Sequence, residues 1–364
     1  MDAPLWTETH APSLSKLPQS EVRERLARTV DEPMNLVVQG PPGVGKTAAV
    51  RALARETHED PDADLIEINV ADFFDRTKTE IREDPRFSRF LQGQTAFSKQ
   101  YRRGDQSNKY KRQWSKRDMI SHVMQELASY KPASGTYKTV LLDNAETIRE
   151  DFQQSLRRVM EQFHENTQFV LATRQPSKLI PAIRSRCFPV PVRAPTTDEI
   201  ESVLERIADR EAVDAEPMAL NLVASKAGGD LRYAVLAAQH AAVEGDGKIT
   251  VDSADAALSE VGHENDLKAV LDAAAAGEIS DARDQLTELI DDDGFDGQEL
   301  LSELLRVADT YPESYGEANL IRLHRLAGAV DLDLAEGNDG RLHITHLLAA
   351  WAGGRDELDG EALI

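Results

Sequence analysis

The sequence contains one cysteine, Cys187, in 364 residues, and this excludes an intramolecular disulfide. A single cysteine is usual in a reducing compartment, and the N-terminus lacks a signal-peptide pattern, so we expect a cytoplasmic protein. No apolar run approaches the roughly 18 residues that a transmembrane helix needs. The absences therefore favour an intracellular protein that has no membrane span.

Basic residues are scarce in the second half of the chain. Residues 196–364 contain 12 Lys and Arg against 38 Asp and Glu, a charge of −26, whereas residues 1–195 contain 30 against 26, a charge of +4. Only the first half can approach a polyanion. The dispersed acid and the excess of Arg over Lys, 29 to 13, resemble a protein from a salt-rich cytoplasm. The alternative is an ordinary acidic surface.

One stretch reverses this charge. Residues 86–117 contain ten basic residues, the single acid Asp105 and six aromatics. Phosphate neutralisation combined with base stacking would explain this composition, so we interpret it as a DNA contact. The alternative is a solvated loop that pairs with acidic parts of the chain. The candidate DNA-binding residues are Arg102, Arg103, Lys109, Lys111 and Arg112.

The strongest motif is GPPGVGKT at residues 40–47, between an apolar strand-like run and a run of helix formers. Strand, glycine-rich loop and helix form the context of a phosphate-binding loop. Glycines let backbone N–H groups surround an anion, Lys46 can reach the β- and γ-phosphates, and Thr47 can ligate Mg²⁺. We expect ATP and Mg²⁺ as cofactors. The loop residues are Gly40, Pro41, Pro42, Gly43, Val44, Gly45, Lys46 and Thr47.

The hydrophobic pattern predicts an α/β fold followed by helices. Strand-like runs occur at 34–39, 65–70, 139–143, 168–173 and, with two prolines that indicate an edge strand, 188–192. Alternation with helices predicts a parallel sheet covered on both faces. Asp143 ends one strand about 95 residues after the loop, where a Mg²⁺ ligand is needed. After residue 195 only helical periodicity appears.

Several motifs together resemble the small subunit of replication factor C, the sliding-clamp loader of archaea and eukaryotes and a branch of the AAA+ ATPases. The resemblance spans about residues 4–352. The motifs that carry it are Trp6…Pro12, GPPGVGKT, Leu141-Leu142-Asp143, the Ser155-Leu156-Arg157-Arg158-Val159-Met160-Glu161 run, Ser185-Arg186-Cys187 and Gly229-Asp230-Leu231-Arg232.

The resemblance implies three domains and a tail. These are a RecA-like AAA+ ATPase domain at 1–195 with the basic insert at about 75–117, an all-α lid at 196–262, an all-α collar for oligomerisation at 263–352, and a tail at 353–364. It also implies a hetero-pentamer with other replication factor C subunits, the ring clamp PCNA and primer–template DNA as partners.

Residue by residue, the resemblance assigns the catalytic roles. Lys46 and Thr47 hold phosphate and Mg²⁺, and Asp143 is the Walker B metal ligand. Arg186 acts as a finger on the adjacent subunit's ATP, although a lone arginine is also often a surface ion pair. Arg232 is the lid arginine that touches the γ-phosphate within its own subunit.

Other positions depart from the family pattern. Asn144 replaces the glutamate that polarises water, and Arg174 replaces the sensor 1 asparagine. His10-Ala11-Pro12 replaces the usual Tyr-Arg-Pro near the adenine. An amide cannot accept a proton, so we expect slow hydrolysis at this site. Glu146 could take the place of the missing base only from a position two residues further along the chain. The subunit would then be a divergent second small-subunit type from a halophile. The alternatives are a non-hydrolysing scaffold of the same assembly and another DNA-remodelling AAA+ motor.

Overall fold

The computed structural model describes residues 4–84, 87, 116–129, 131–133, 135–163, 165–291, 297–335 and 339–354. The chain divides into two compact units, Met1–Val251 and Asp252–Ile364. Most of the basic segment lies outside the described residues, so its interpretation as a DNA contact stays a prediction. The five residues assigned to that contact, Arg102, Arg103, Lys109, Lys111 and Arg112, all lie outside them.

Five parallel strands form the sheet of the first unit, in the order β2-β3-β4-β1-β5. The order confirms the predicted parallel sheet and places β5 at an edge, as its prolines indicated. Register pairs Asn69 with Asp143 and Gln39 with Thr173, so the carboxyl ends of β1 to β4 lie along one side of the sheet. The strands are β1 (Leu36–Gln39), β2 (Leu65–Asn69), β3 (Lys138–Asp143), β4 (Thr167–Thr173) and β5 (Phe188–Pro191).

Both faces of this sheet are buried. Val37 and Phe169 pack into the core on one face, whereas Leu36 and Val170 pack into a second core on the other. Successive side chains of a strand point to opposite faces, so a strand covered on both sides needs a continuous apolar run. That requirement explains the continuous apolar runs at 36–38 in β1 and 169–172 in β4.

Helices cover the two faces. Helix Glu150–Gln162 shows the reason for their positions, because Phe152, Leu156 and Val159 are buried at the i, i+4, i+7 spacing of a single helical face. The described helices of this part are Trp6–Thr9, Ser20–Asp31, Lys46–Thr57, Pro61–Asp64, Val70–Asp75, Lys78–Glu83, Lys116–Ser129, Glu150–Gln162 and Pro181–Arg184, with short 3₁₀ turns at Leu14–Lys16, Ala145–Thr147 and Pro176–Lys178.

A group of three helices completes the first unit. Thr196 starts the first helix through a capping box, since its hydroxyl accepts from the Glu199 N–H and the Glu199 carboxylate accepts from the Thr196 N–H. The prediction of helices alone after residue 195 was wrong in one detail. Asp214–Ala215 and Lys248–Ile249 pair as parallel strands, which are too short to leave a periodic pattern. The helices are Thr197–Glu211, Pro217–Lys226 and Leu231–Glu244.

The second unit is helical in its described residues, as predicted. Leu267, Leu271, Leu286, Leu304 and Trp351 are buried together in its core. No helix in the described part of the chain is long and apolar enough to cross a membrane. The helices, the first of which begins at the division between the units, are Val251–Val261, Glu264–Ala275, Ile279–Asp291, Gly297–Thr310, Pro312–Tyr315, Glu317–Ala335 and Gly340–Ala352.

Candidate nucleotide-binding site

The glycine-rich loop joins the end of β1 to helix Lys46–Thr57, as its sequence predicted. Gly43 and Gly45 have φ angles of 66° and 94°, a conformation that glycine adopts at little cost. At Gly40 the constraint is space, because a Cβ there would lie 2.1 Å from the carbonyl oxygen of Val192. The three glycines are thus required for two different physical reasons.

Among the remaining loop residues, one is buried and hydrogen-bonded and two are exposed. Val44 is buried, and its carbonyl accepts a hydrogen bond of 3.2 Å from the side-chain amide of Gln19. The same amide donates to the carbonyl of Arg193 at 3.0 Å. Pro41 and Pro42 are exposed. The buried glutamine therefore ties the loop to the connection between β5 and helix Thr197–Glu211.

Lys46 lies against its own loop. Its ammonium donates to the carbonyls of Gly40 at 2.9 Å and Pro41 at 2.5 Å. Partial burial lowers the pKa of Lys46, while the carboxylates of Asp143 and Glu146 act in the opposite direction. An anionic phosphate at the loop would favour the charged form further. This half-buried cation is well suited to hold a phosphate group.

Thr47 and Asp143 meet at the end of β3. The Thr47 hydroxyl donates to one carboxylate oxygen of Asp143 at 2.7 Å, and the backbone N–H of Asn144 donates to the other at 3.0 Å. A hydroxyl and a carboxylate are the hard oxygen ligands that Mg²⁺ takes beside a phosphate. The residues present therefore fit a magnesium–nucleotide group, with Thr47 and Asp143 as the protein's ligands.

Asn144 is held by the neighbouring strand. It adopts a left-handed conformation with φ 55°, and its side-chain N–H donates to the Asn69 amide oxygen at 3.2 Å. Asn69 ends β2 directly beside Asp143 in the sheet register. Position 144 thus carries an amide that is hydrogen-bonded to a second amide, and neither group is a base.

Glu146 is engaged by β4 and the residue after it. Its carboxylate accepts from the Thr173 hydroxyl at 2.6 Å and from the Arg174 backbone N–H at 3.2 Å. The Arg174 guanidinium adds a third bond at 3.2 Å. The side chain of Glu146 is only 9% exposed. Arg174 therefore pairs with a largely buried acid, and the three hydrogen bonds fix the Glu146 carboxylate in place.

The start of helix Leu231–Glu244 lies directly on the loop. The backbone N–H of Arg232 donates to the Gly43 carbonyl at 3.2 Å. A Cβ on Gly43 would lie 2.0 Å from the Asp230 carboxyl group, which caps its own helix through the Tyr233 N–H at 2.8 Å. The Arg232 side chain is exposed. The structure thus brings the backbone of Arg232 to the phosphate loop, and the role of its side chain at the γ-phosphate stays a prediction.

The N-terminal segment contacts the same helices. The Trp6 backbone N–H donates to the buried Gln239 side chain at 2.9 Å, and Gln239 donates back to the Pro4 carbonyl at 3.2 Å. His10 hydrogen-bonds to Glu211 at the end of helix Thr197–Glu211. His10 therefore connects the N-terminal segment to the helical part, in addition to any role near a base.

Arg186 makes its contacts away from these residues. It follows the short helix Pro181–Arg184, is exposed, and pairs with Glu161 at 2.6 Å while donating to the Ala182 carbonyl at 2.8 Å. The next residue, Cys187, packs against the core, and burial raises the pKa of its thiol to about 12. Arg186 thus contacts Glu161 and its own segment, and its role on another subunit stays a prediction.

Comparison with known proteins gives a consistent relationship. Residues 36–192 match the model of the ATPase family associated with various cellular activities, and residues 262–350 match the replication factor C C-terminal domain. The replication factor C small subunit of Staphylothermus marinus is 29% identical over 96% of this chain and 94% of its own. The chain is therefore similar to replication factor C small subunits along nearly its whole length. The Halobacterium salinarum small subunit is 26% identical over 96% of each chain.

Solved structures support the fold alone. A RuvB mutant from Thermotoga maritima superimposes with a TM-score of 0.52 at 17% identity, covering 84% of this chain and 89% of that one. An identity this low carries no functional information. The similarity to RuvB therefore confirms the AAA+ architecture and does not favour a motor over a clamp-loader subunit.

Four residues contact the candidate site residues of this chain although sequence reasoning did not assign them. Gln19, Asn69, Asp230 and Glu161 each hydrogen-bond or pack against a residue that the motifs had identified. Asp230 and Glu161 lie inside the motifs and could have been found there. Gln19 and Asn69 carry no local signal, because their importance arises from contacts between distant parts of the chain.

Proposed function

We propose that this chain is an ATP-binding subunit of a sliding-clamp loader that hydrolyses ATP slowly at its own site. It supplies Arg186 to the ATP site of a neighbouring subunit. The similarity to replication factor C small subunits supports the assembly. The residues that would bind phosphate and Mg²⁺ (the phosphate side) are intact, whereas the residues that would handle the attacking water (the water side) are altered. This difference supports slow hydrolysis at the chain's own site.

The phosphate side keeps the groups that grip a triphosphate. The loop amides and Lys46 would hold the phosphates, and Thr47 with Asp143 would hold Mg²⁺. Mg²⁺ held there would neutralise phosphate charge. Arg232 lies in the first turn of helix Leu231–Glu244, and its backbone N–H contacts Gly43, so it can report phosphate occupancy to the lid. These residues orient the nucleotide and do not move a proton.

The water side is the single observation that carries the slow-hydrolysis proposal. Asn144 and Asn69 present amides where a base is needed, and Glu146 already accepts three hydrogen bonds. Proton transfer by a positioned base contributes roughly 10²- to 10⁴-fold to catalysis. A site that lacks one should retain ATP and turn it over slowly.

The test of this proposal uses the isolated chain and the assembled complex. Isolated chain should co-purify with or bind ATP in the presence of Mg²⁺, lose it with Lys46→Ala, and show slow single turnover. In the complex, Arg186→Ala should lower the total rate, whereas Arg184→Ala, an exposed arginine two residues earlier, should not. Rapid turnover by the isolated chain would contradict the slow-site proposal, and an unchanged rate for Arg186→Ala would contradict the trans role.

The partners follow from the same relationship. We propose assembly with other replication factor C subunits, action on PCNA and contact with primer–template DNA. Removing the five basic charges at Arg102, Arg103, Lys109, Lys111 and Arg112 should weaken DNA binding and lower the slope of log K against log salt by about 0.7–0.9 per lost phosphate contact. Removing basic residues of the lid, such as Lys226 and Lys248, is the control. An unchanged slope would indicate a solvated loop.

A second candidate is a scaffold subunit that uses ATP as a structural ligand only. The same altered water side favours it. In that case the isolated chain shows no turnover in long single-turnover assays, and the complex keeps its rate with Arg186→Ala. Mass measurement of the purified assembly, with nucleotide identified for each subunit, separates the two candidates.

A further inference from the structure

The Glu161 carboxylate holds two arginines at once. One of its oxygens accepts from Arg157 Nε at 3.0 Å and pairs with an Arg186 guanidinium nitrogen at 2.6 Å. The side chains of Arg157, Glu161 and Arg186 are 38%, 41% and 36% exposed, so the three groups remain partly open to solvent.

The two ends of the cluster differ in rigidity. Arg157 and Glu161 lie one turn apart on helix Glu150–Gln162, the usual spacing for a helical ion pair, and neighbouring Leu156 and Met160 are buried in the core. Arg186 follows a helix of only four residues and has its other side-chain bonds within that short segment. Helix Glu150–Gln162 is thus the rigid support of Glu161, and the Glu161 carboxylate orients the Arg186 guanidinium.

We propose that Glu161 positions Arg186 for the nucleotide of the neighbouring subunit, and that Arg157 makes this contact releasable. This rests on the proposed function of Arg186. An arginine loses considerable rotamer freedom when it is ordered, so a guanidinium that is held before assembly is ordered at lower cost. When Arg186 moves to the neighbour's phosphate, Arg157 still neutralises Glu161, and no carboxylate is left unpaired.

The test measures steady-state ATP turnover of the assembled complex. Arginine fingers contribute about 10³- to 10⁵-fold in other nucleotide hydrolases, so Arg186→Ala should remove most of the neighbour's activity. Small misplacements of a catalytic group can cost as much as about 10²-fold, and Glu161→Ala should therefore lower kcat about tenfold without changing KM for ATP. Glu161→Gln, which keeps the accepting oxygen but loses the charge, should lie between.

Arg157→Ala gives the sharper readout. With Glu161 intact, it should lower kcat about threefold, because the carboxylate then holds Arg186 alone; a loss of this size is what about 0.6 kcal/mol of altered pairing produces. In the Glu161→Ala background it should change nothing. Likewise, Glu161→Ala should add no further loss to Arg186→Ala. Arg158→Ala, an exposed arginine on the same helix, is the matched control.

The outcomes separate this inference from the proposed function. If Arg186→Ala has no effect, the trans role itself is wrong. If Arg186→Ala is severe while Glu161→Ala and Glu161→Gln match the wild type, the positioning inference alone is wrong. If Arg157→Ala lowers kcat equally with and without Glu161, Arg157 acts independently and the release step is wrong. A general loss of structure would instead lower nucleotide retention, which is measured on the same samples.

Discussion

Replacing Asn144 with glutamate should restore hydrolysis at this subunit's own site. The new carboxylate would stand where Asn144 now donates to the Asn69 oxygen at 3.2 Å. The Asn69 amide can rotate to donate to a carboxylate, so the new side chain would find a partner without further change. The substitution adds a base beside the intact Lys46, Thr47 and Asp143.

The magnitude follows from two opposed contributions. A well-placed base is worth roughly 10²- to 10⁴-fold. Asp143 contacts the backbone of residue 144, and like-charge proximity reduces the gain. We therefore expect about 30- to 100-fold faster single turnover, which corresponds to about 2–2.7 kcal/mol of barrier. The Arg174 guanidinium, which now pairs with Glu146, could also pair with the new carboxylate, so adding Arg174→Asn should raise the rate further.

The assay is single-turnover hydrolysis by the isolated chain with nucleotide affinity measured in parallel. Asn144→Gln is the control for the added length, and Asn144→Glu with Asn69→Ala tests whether Asn69 orients the new base. An Asn144→Glu protein that binds ATP normally but hydrolyses no faster than wild type would refute the claim that a missing base limits turnover. A wild type that already turns over rapidly would refute it as well.

Three further predictions use other parts of the chain. Gly43→Ala should weaken ATP binding more than Gly45→Ala. Both positions have positive φ, so an alanine at either incurs about 1–2 kcal/mol of strain, but only the Cβ at position 43 would also overlap Asp230. Isothermal titration with ATP would compare the two variants, and equal losses would contradict the contact. Burial raises the pKa of Cys187 to about 12, so its thiol should resist iodoacetamide at pH 8 until the protein unfolds, and its contribution to stability should fall above its ordinary pKa of 9, because the unfolded thiol then ionises first. Mass spectrometry of alkylated native protein checks the labelling, and rapid native labelling would contradict the prediction. Residues 196–364 carry a charge of −26, and salt screens the repulsion between these acids. The melting temperature should therefore rise between 0.1 and 2 M KCl, and this rise should exceed the rise caused by a neutral osmolyte of equal osmolarity. An unchanged melting temperature would favour an ordinary acidic surface.

The fold was largely predictable, because it depends on strong local patterns. The five strands, the edge position of β5 and the helices after residue 195 follow from apolar periodicity and proline. The pairing of Asp214–Ala215 with Lys248–Ile249 was missed, because two residues carry no period. The order of the strands could not be obtained from periodicity, since it depends on contacts between runs far apart in sequence.

The candidate site was predictable where one motif contains both the residue and its neighbours. The loop glycines, Lys46 and Thr47 lie as their motif required, and Asp143 meets Thr47. The engagement of Glu146 by Thr173 and Arg174 was not predictable, because it joins two strand ends by side-chain geometry. The partner of Arg186 was also missed, although Glu161 stands inside a motif already noted.

Positions 144 and 174 directly follow the neighbouring strands β3 and β4, and we infer that both residues bear on the proposed slow turnover. A guanidinium at position 174 needs a nearby carboxylate, and Glu146 supplies it while also accepting from Thr173. If Arg174 had appeared beside a catalytic glutamate at position 144, it could have paired with that base and blocked it. With Asn144 no such competition exists, so Arg174 is tolerated. Restoring the base alone therefore risks a misdirected ion pair, and the double substitution should exceed the single one by more than the separate effect of Arg174→Asn.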